Sequence, residues 1–135
     1  MQPKQLLVID DEDDIREVAR LSLELTESWS VTTANGGAAG IALARSMKPD
    51  AILLDVMMPD LDGPSTFRAL QEHAGTMPIP VIFLTAKVQA ADRQKYMALG
   101  VRGIIAKPFD PLTLGTQIRD VLGWNALAAQ DADAA

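Results

Sequence analysis

The chain contains no cysteine. That excludes a disulfide framework and any thiolate site. Its single histidine, His73, reads as a solvated residue near a helix C-terminus. Positive charge is also in deficit: 12 Lys and Arg against 18 Asp and Glu leave a net charge of −6, with a pI of about 4.6. That balance argues against direct binding of nucleic acid and against an anionic membrane surface. No apolar run is long enough to span a membrane, and Met1-Gln2-Pro3-Lys4-Gln5 has no signal-peptide pattern; a cytoplasmic location is expected. There is no internal repeat. What is present is a chain of 135 residues, 48% hydrophobic, enough for one domain with a real core. That domain is expected over residues 1–124. The Ala-, Asp- and Gln-rich stretch 125–135 is expected to be a disordered tail with no second domain.

Short apolar runs punctuate the chain, each stopping at a polar residue. Gln5-Leu6-Leu7-Val8-Ile9 ends in Asp10-Asp11-Glu12-Asp13-Asp14. Asp13 and Asp14 suit the positive end of a helix dipole, with Ile15, Val18, Ala19, Ser22 and Leu25 as the helix stripe. Val31 to Ala34 is β-branched and reads as a second strand. Asn35-Gly36 is then a tight strand-to-helix turn, because Ala38 to Met47 has helical spacing and no alternation. Ala51-Ile52-Leu53-Leu54 reads as a strand buried on both faces that ends at Asp55, and Gly63-Pro64 opens the next helix with proline at its first position. Val81 to Leu84 ends at Thr85-Ala86-Lys87. The helix over Ala90 to Leu99 has a weak apolar face of Ala91, Met97 and Ala98. Val101 to Ala106 holds a fifth strand, followed by Lys107-Pro108-Phe109. Asp110-Pro111 is expected to start the last helix, striped by Leu114, Ile118, Val121 and Leu122.

Five strands alternating with five helices imply a parallel sheet covered on both faces, with every strand's carboxyl end on one rim. That rim receives Asp10 and Asp11, then Asp55, Thr85 and Lys107. Clustered carboxylates repel one another and need a cation, and oxygen donors without His or Cys point to a hard ion, Mg2+ or similar. One carboxylate in such a site can attack phosphorus and form an acyl phosphate, with the metal and Lys107 neutralising the transferring group. Asp55, on the central strand, is the natural nucleophile. Asp10 and Asp11 are then the metal acids.

Val8-Ile9-Asp10-Asp11-Glu12, Leu53-Leu54-Asp55-Val56-Met57-Met58-Pro59, Asp62-Gly63, Leu84-Thr85-Ala86 and Lys107-Pro108-Phe109, in this order and spacing, resemble the receiver domain of two-component response regulators. The resemblance covers about Gln5 to Gly123. It implies a flavodoxin-like α/β fold, a doubly wound (βα)5 domain whose five-stranded parallel sheet has the order 2-1-3-4-5 and helices on both faces. It implies that Asp55 accepts a phosphoryl group from a histidine kinase or a histidine phosphotransfer protein. Asp11 and Asp55 would bind Mg2+, or Mn2+ in its place, together with the main-chain carbonyl of Met57, and Asp10 would act mostly through a metal-bound water. Lys107 would pair with the phosphoryl group, and Lys107-Pro108 resembles the family's cis peptide bond. Thr85, carrying Ala86 and Lys87 with it, would move toward the phosphoryl group and reposition the face of helix four, strand five and helix five. One departure concerns the switch. Many receivers have Tyr or Phe where this chain has Ile104, so the switch uses a different packing change, or Tyr96 substitutes, or the face barely moves.

The resemblance implies a signalling phosphoacceptor rather than an enzyme, working through a downstream effector protein as a monomer or weak homodimer. A Mg2+-dependent phosphatase of the haloacid dehalogenase type also uses a strand-end Asp. It needs a second acid two residues on, where this chain has Met57. A flavin carrier of the same fold would want a phosphate loop after the first strand, where Asp10-Asp11-Glu12 would repel the phosphate. A receiver-like scaffold that is never phosphorylated is disfavoured by the intact set Asp10, Asp11, Asp55, Thr85 and Lys107.

Overall fold

A computed structural model describes residues 3–124. The expected tail, 125–135, lies outside the described residues. Ten elements alternate along the chain: β1 (Gln5–Ile9), α1 (Asp13–Glu27), β2 (Ser30–Ala34), α2 (Gly37–Met47), β3 (Ala51–Asp55), α3 (Gly63–Gln71), β4 (Val81–Thr85), α4 (Ala90–Leu99), β5 (Gly103–Ala106) and α5 (Leu114–Leu122). The strands form one parallel sheet in the order β2-β1-β3-β4-β5, as the motif set implies. β3 lies in the middle and every one of its residues is buried.

Side chains alternate across each strand, so the continuous apolar runs feed two cores. Leu7, Ile9, Ile52, Leu54 and Phe83 belong to one, with Phe67 of α3. Leu6, Val8, Leu53, Ile82 and Leu84 belong to the other, with Leu23 of α1. The first core is covered by α2, α3 and α4, the second by α1 and α5. The α1–α5 side is also tied by polar contacts: the Ser22 hydroxyl donates to the Pro111 carbonyl, and Arg119 pairs with Glu27.

Three helix readings need correction. On α1, Leu25 is 81% exposed and Val18 is 40% exposed, whereas Ala19, Ser22 and Leu23 face the core. Of the expected stripe, Ile15, Ala19 and Ser22 do face the core, and Leu23 stands where Val18 and Leu25 were expected. On α4 the sole buried residue is Tyr96, while Met97 is exposed. The Tyr96 ring, with the half-buried Leu99, therefore does the packing assigned to Ala91, Met97 and Ala98. The last helix begins at Leu114 rather than at Pro111. Asp110 still accepts hydrogen bonds, through Oδ1 from the Leu112 N–H at 2.9 Å and through its carbonyl from the Thr113 and Leu114 N–H groups at 3.0 Å. It thus caps a turn that leads into the helix. No helix among the described residues is long and apolar enough to cross a membrane.

β5 is shorter than its apolar run and opens on Gly103. A Cβ there would stand 2.6 Å from Cγ1 of Val121 on α5, so the glycine lets α5 approach the sheet closely. Gly103→Ala should therefore cost about 1–3 kcal/mol through overpacking against a β-branched side chain. The cost would be read as a lower urea midpoint at unchanged m value.

Candidate functional site

The parallel sheet delivers the polar residues to one rim because each apolar run stops there. Asp10 follows β1, Asp55 is the last residue of β3, Thr85 the last of β4, and Lys107 follows β5. Asp10 is fully buried and Asp55 nearly so. Asp11 is exposed. Carboxylate oxygens of Asp10, Asp11 and Asp55 lie within 4.8 Å of one another.

Asp10 is fixed by its neighbours. Its N–H donates to the Ala34 carbonyl at 3.1 Å and its Oδ1 accepts from the Glu12 N–H at 2.9 Å. Oδ1 of Asp55 accepts from the Met57 N–H at 3.3 Å and from Lys107 Nζ at 3.2 Å. Lys107 is the hub. Its Nζ also donates to Glu12 Oε1 at 3.2 Å and lies 2.9 Å from Asp10 Oδ2. That last contact is an ion pair. Beyond it, Oδ2 of Asp10 and Oδ2 of Asp55 are both buried without a hydrogen-bond partner. Such orphaned oxygens are costly.

The titration behaviour follows. Burial and the adjacent Asp10 charge push the Asp55 carboxyl up to about 7, against the downward pull of Lys107 and the Met57 N–H. Burial works to lower Lys107, but contacts with Asp10, Asp55 and Glu12 outweigh it and leave the ammonium held above its ordinary value. The site is a buried carboxylate pair with one firmly protonated lysine between its members. Two orphaned acceptor oxygens beside a third carboxylate fit a hard divalent cation, which accepts only oxygen donors of this kind.

The remaining predicted residues are distributed around this centre. Thr85 is buried, and its hydroxyl accepts the Lys87 N–H at 3.0 Å, while Ala86 is exposed. Met57 is 63% exposed. The Lys107-Pro108 peptide bond is cis. Ile104 lies in the core shared with Phe83 and Tyr96. Two participants escaped the sequence reading. Glu12 was absorbed in an acidic run that helix capping explains, yet it contacts Lys107. Asp60, in the β3–α3 loop, accepts N–H bonds from Gly37 and Ala38 at the start of α2. A cavity of about 360 Å3 lined by Arg45, Lys48, His73 and Gly75 opens where α2 and α3 end, at the opposite rim. It has no carboxylate, and cations at helix C-termini are expected from the helix dipole.

The residues 6–119 match the family described as the response regulator receiver domain, and the chain belongs to that family. A probable transcriptional regulatory protein of Mycobacterium tuberculosis, TcrX, is 35% identical over 98% of this chain and 56% of its own length. The chain thus spans about half the length of the curated relatives it matches. Among solved structures, the chemotaxis response regulator CheY4 of Vibrio cholerae superposes with a TM-score of 0.83 at 28% identity, covering 89% of this chain and 99% of that one. The receiver domain of a sensor histidine kinase of Pseudomonas aeruginosa, solved with a magnesium ion coordinated in its active site cleft, gives a TM-score of 0.79 at 27% identity over 90% of this chain and 98% of that one.

The raised Asp55 value has a consequence for stability. Between the ordinary value of 3.8 and about 7, the folded chain holds a proton on Asp55 that the unfolded chain has released. Without divalent cation, this group therefore makes stability fall as pH rises through that window. Asp55→Asn should remove the fall. The variant should be more stable than the native chain above pH 7 by about 1 kcal/mol, and the difference should vanish near pH 4. Thermal unfolding in chelator across pH measures both.

Proposed function

We propose that this chain is a phosphoacceptor of a two-component relay, taking a phosphoryl group on Asp55 from a histidine kinase or a histidine phosphotransfer protein. The observation that carries the reading is the pair of orphaned buried oxygens, on Asp10 and Asp55, beside Asp11 and Lys107. Asp11, Asp55 and the Met57 carbonyl would hold Mg2+ or Mn2+, with Asp10 acting through water; a bound cation supplies charge neutralisation for a transferring phosphoryl group. Asp55 oxygen forms the new bond to phosphorus as the bond to the donor's histidine nitrogen breaks. Lys107, already held between Asp10 and Asp55, offsets charge on the phosphoryl oxygens. The Thr85 hydroxyl can donate to one of them by giving up its present acceptor role toward Lys87. This reading sets the chain in the cytoplasm with a downstream effector protein as its output, and without direct contact to nucleic acid. Met57, at the position where a haloacid dehalogenase phosphatase needs its second acid, disfavours turnover chemistry.

Intact mass after incubation with acetyl phosphate decides the matter. The native chain with Mg2+ should gain one phosphoryl group, and the gain should disappear in chelator and in Asp55→Asn. Rapid catalytic release of free phosphate with no captured intermediate would instead favour the phosphatase.

The switch follows from packing. Moving a two-state equilibrium from 1:99 to 99:1 requires roughly 5.5 kcal/mol of differential stabilisation. A buried aromatic side chain contributes roughly 1.5–3 kcal/mol, and Tyr96 is the sole buried residue of α4. Helix α4 is thus the element that phosphorylation can reposition, carrying the face of α4, β5 and α5 with it. Tyr96 takes the place of an aromatic at Ile104: its ring stands edge-on to Phe83 at 5.3 Å between centroids, and Phe83 lies two residues before Thr85 on β4. Because Tyr96 is the only tyrosine in the chain, 3-fluorotyrosine labelling gives one 19F resonance. It should shift on addition of beryllofluoride and Mg2+ and stay put in Asp55→Asn. An unmoved resonance in a chain that is demonstrably phosphorylated would rule out Tyr96 as the moving aromatic.

A further inference from the structure

We propose that Asp60 is a positioning residue for the metal site: it ties the loop carrying Met57 to the N-terminus of α2 and so sets the affinity for Mg2+. The inference rests on the reading of Asp11, Asp55 and the Met57 carbonyl as the metal ligands.

The loop between β3 and α3 runs from Val56 to Asp62. Its two ends are pinned locally. The Gly63 N–H donates to the Val56 carbonyl at 2.8 Å, the Met57 N–H donates to Asp55 at 3.3 Å, and Asp62 caps α3 by accepting the Ser65 N–H at 2.8 Å. The middle of the loop is held by Asp60, whose Oδ1 accepts the Gly37 N–H and whose Oδ2 accepts the Ala38 N–H, each at 3.2 Å. Helix α2 supplies no cap of its own. Gly36 stands at its cap position, and its first turn has no acid. A helix start with unpaired N–H groups is thereby satisfied from another part of the chain.

The space for this tether is made by the glycine pair. A Cβ on Gly36 would stand 2.9 Å from both Asp60 carboxylate oxygens, and one on Gly37 would stand 2.5 Å from Thr66 Oγ1 and 2.8 Å from Leu61 Cβ. The two N–H bonds, from Ala38 and then Gly37, hold the Asp60 carboxyl below the ordinary carboxylate range, so it is ionised at neutral pH. The same turn reaches the metal acids from the other side, because the Asp10 N–H donates to Ala34 at the end of β2. A closed circuit results, from Asp10 through Ala34 and Gly37 to Asp60, along the loop to Met57, and back to Asp55. Cutting it at Asp60 frees the loop without touching a ligand. Partners that orient metal ligands typically change affinity by 10- to 100-fold when removed.

The test is a Mg2+ titration of the full chain followed by the amide resonances of Met57 and Gly63, together with acetyl phosphate kinetics. Asp60→Ala should weaken Mg2+ binding by about 10-fold, raise the Mg2+ concentration needed for half-maximal phosphorylation by the same factor, and leave the rate at saturating Mg2+ near native. Asp60→Asn, which keeps one carbonyl acceptor, should fall between. Asp50→Ala is the control. It removes an equal charge and an acceptor of one N–H bond, from Gln5 at 2.7 Å, at the start of β3 rather than its end, and should leave Mg2+ binding unchanged. Native affinity in Asp60→Ala overturns the proposal. So does equal weakening in Asp50→Ala, which would assign the effect to net charge. A native chain that neither binds Mg2+ nor gains phosphate overturns the proposal together with the reading beneath it, and is told apart by its unmodified Asp55.

Discussion

Everything at the site depends on the convergence of Asp10 and Asp55 on a single ammonium. Both carboxylates are buried, both stand at the ends of strands that cannot retreat, and Asp11 adds its charge within 4.8 Å. Lys107 is shared among Asp10, Asp55 and Glu12, so one positive charge answers three negative ones before Asp11 is counted. The resting chain therefore carries an unmet electrostatic demand. A divalent cation would answer it in part. On the proposed reading, a phosphoryl group bonded to an Asp55 oxygen would bring three further acceptor oxygens, whose charge a cation and the firmly protonated lysine would offset. On that reading, binding and group transfer would be favoured because the unliganded arrangement is crowded with like charge.

The sheet can sustain that cost because it is covered on both faces. β1, β3 and β4 are apolar along almost their whole length, and their alternating side chains feed two separate cores. The helices are held unequally. α1 is joined to α5 by an ion pair and by packing, and to the turn before α5 by a hydroxyl–carbonyl hydrogen bond, whereas α4 is held by the Tyr96 ring with the half-buried Leu99 beside it. Local stability follows local burial. The site thus sits between a rigid side, which fixes Asp10 and Lys107, and a lightly held side, which begins just beyond Thr85.

The strands and the rim were legible in the sequence for a simple reason. A strand buried on both faces is apolar without interruption, so the first polar residue after it marks the rim, and Asp10, Asp55, Thr85 and Lys107 are all such residues. Helix faces were less legible. Leu25 and Leu23 differ by two positions on α1, and the sparse apolar pattern there fits either rotation. On α4 three small or flexible apolar residues outweighed one aromatic, although ring size makes Tyr96 the stronger anchor. Contacts between loops were not legible at all. Asp60 meets α2 only because the sheet order brings two loops of distant sequence together. Its one trace is the Gly36-Gly37 pair, which reads as turn chemistry until the carboxylate that fills the space is known.

The proposed role of Tyr96 in place of an aromatic at Ile104 rests on the packing they share. Side chains two apart on a strand share a face, so Phe83 and Thr85 lie on one side of β4. Phe83 stands edge-on to both Phe67 of α3 and Tyr96 of α4. Ile104 is Phe83's direct partner across the β4–β5 ladder and fills the same cluster. An isoleucine is stiff at its first side-chain torsion and has one preferred shape, so it makes a fixed wall rather than a moving part. Against a fixed wall, a displacement of the Thr85 end of β4 would be passed along the ring contact instead. The helix that would receive it has, besides Tyr96, only the half-buried Leu99 packed against the core. On the proposed switch, the aromatic that would respond is attached to the element that would move, and no rotation of a strand residue would be needed between them.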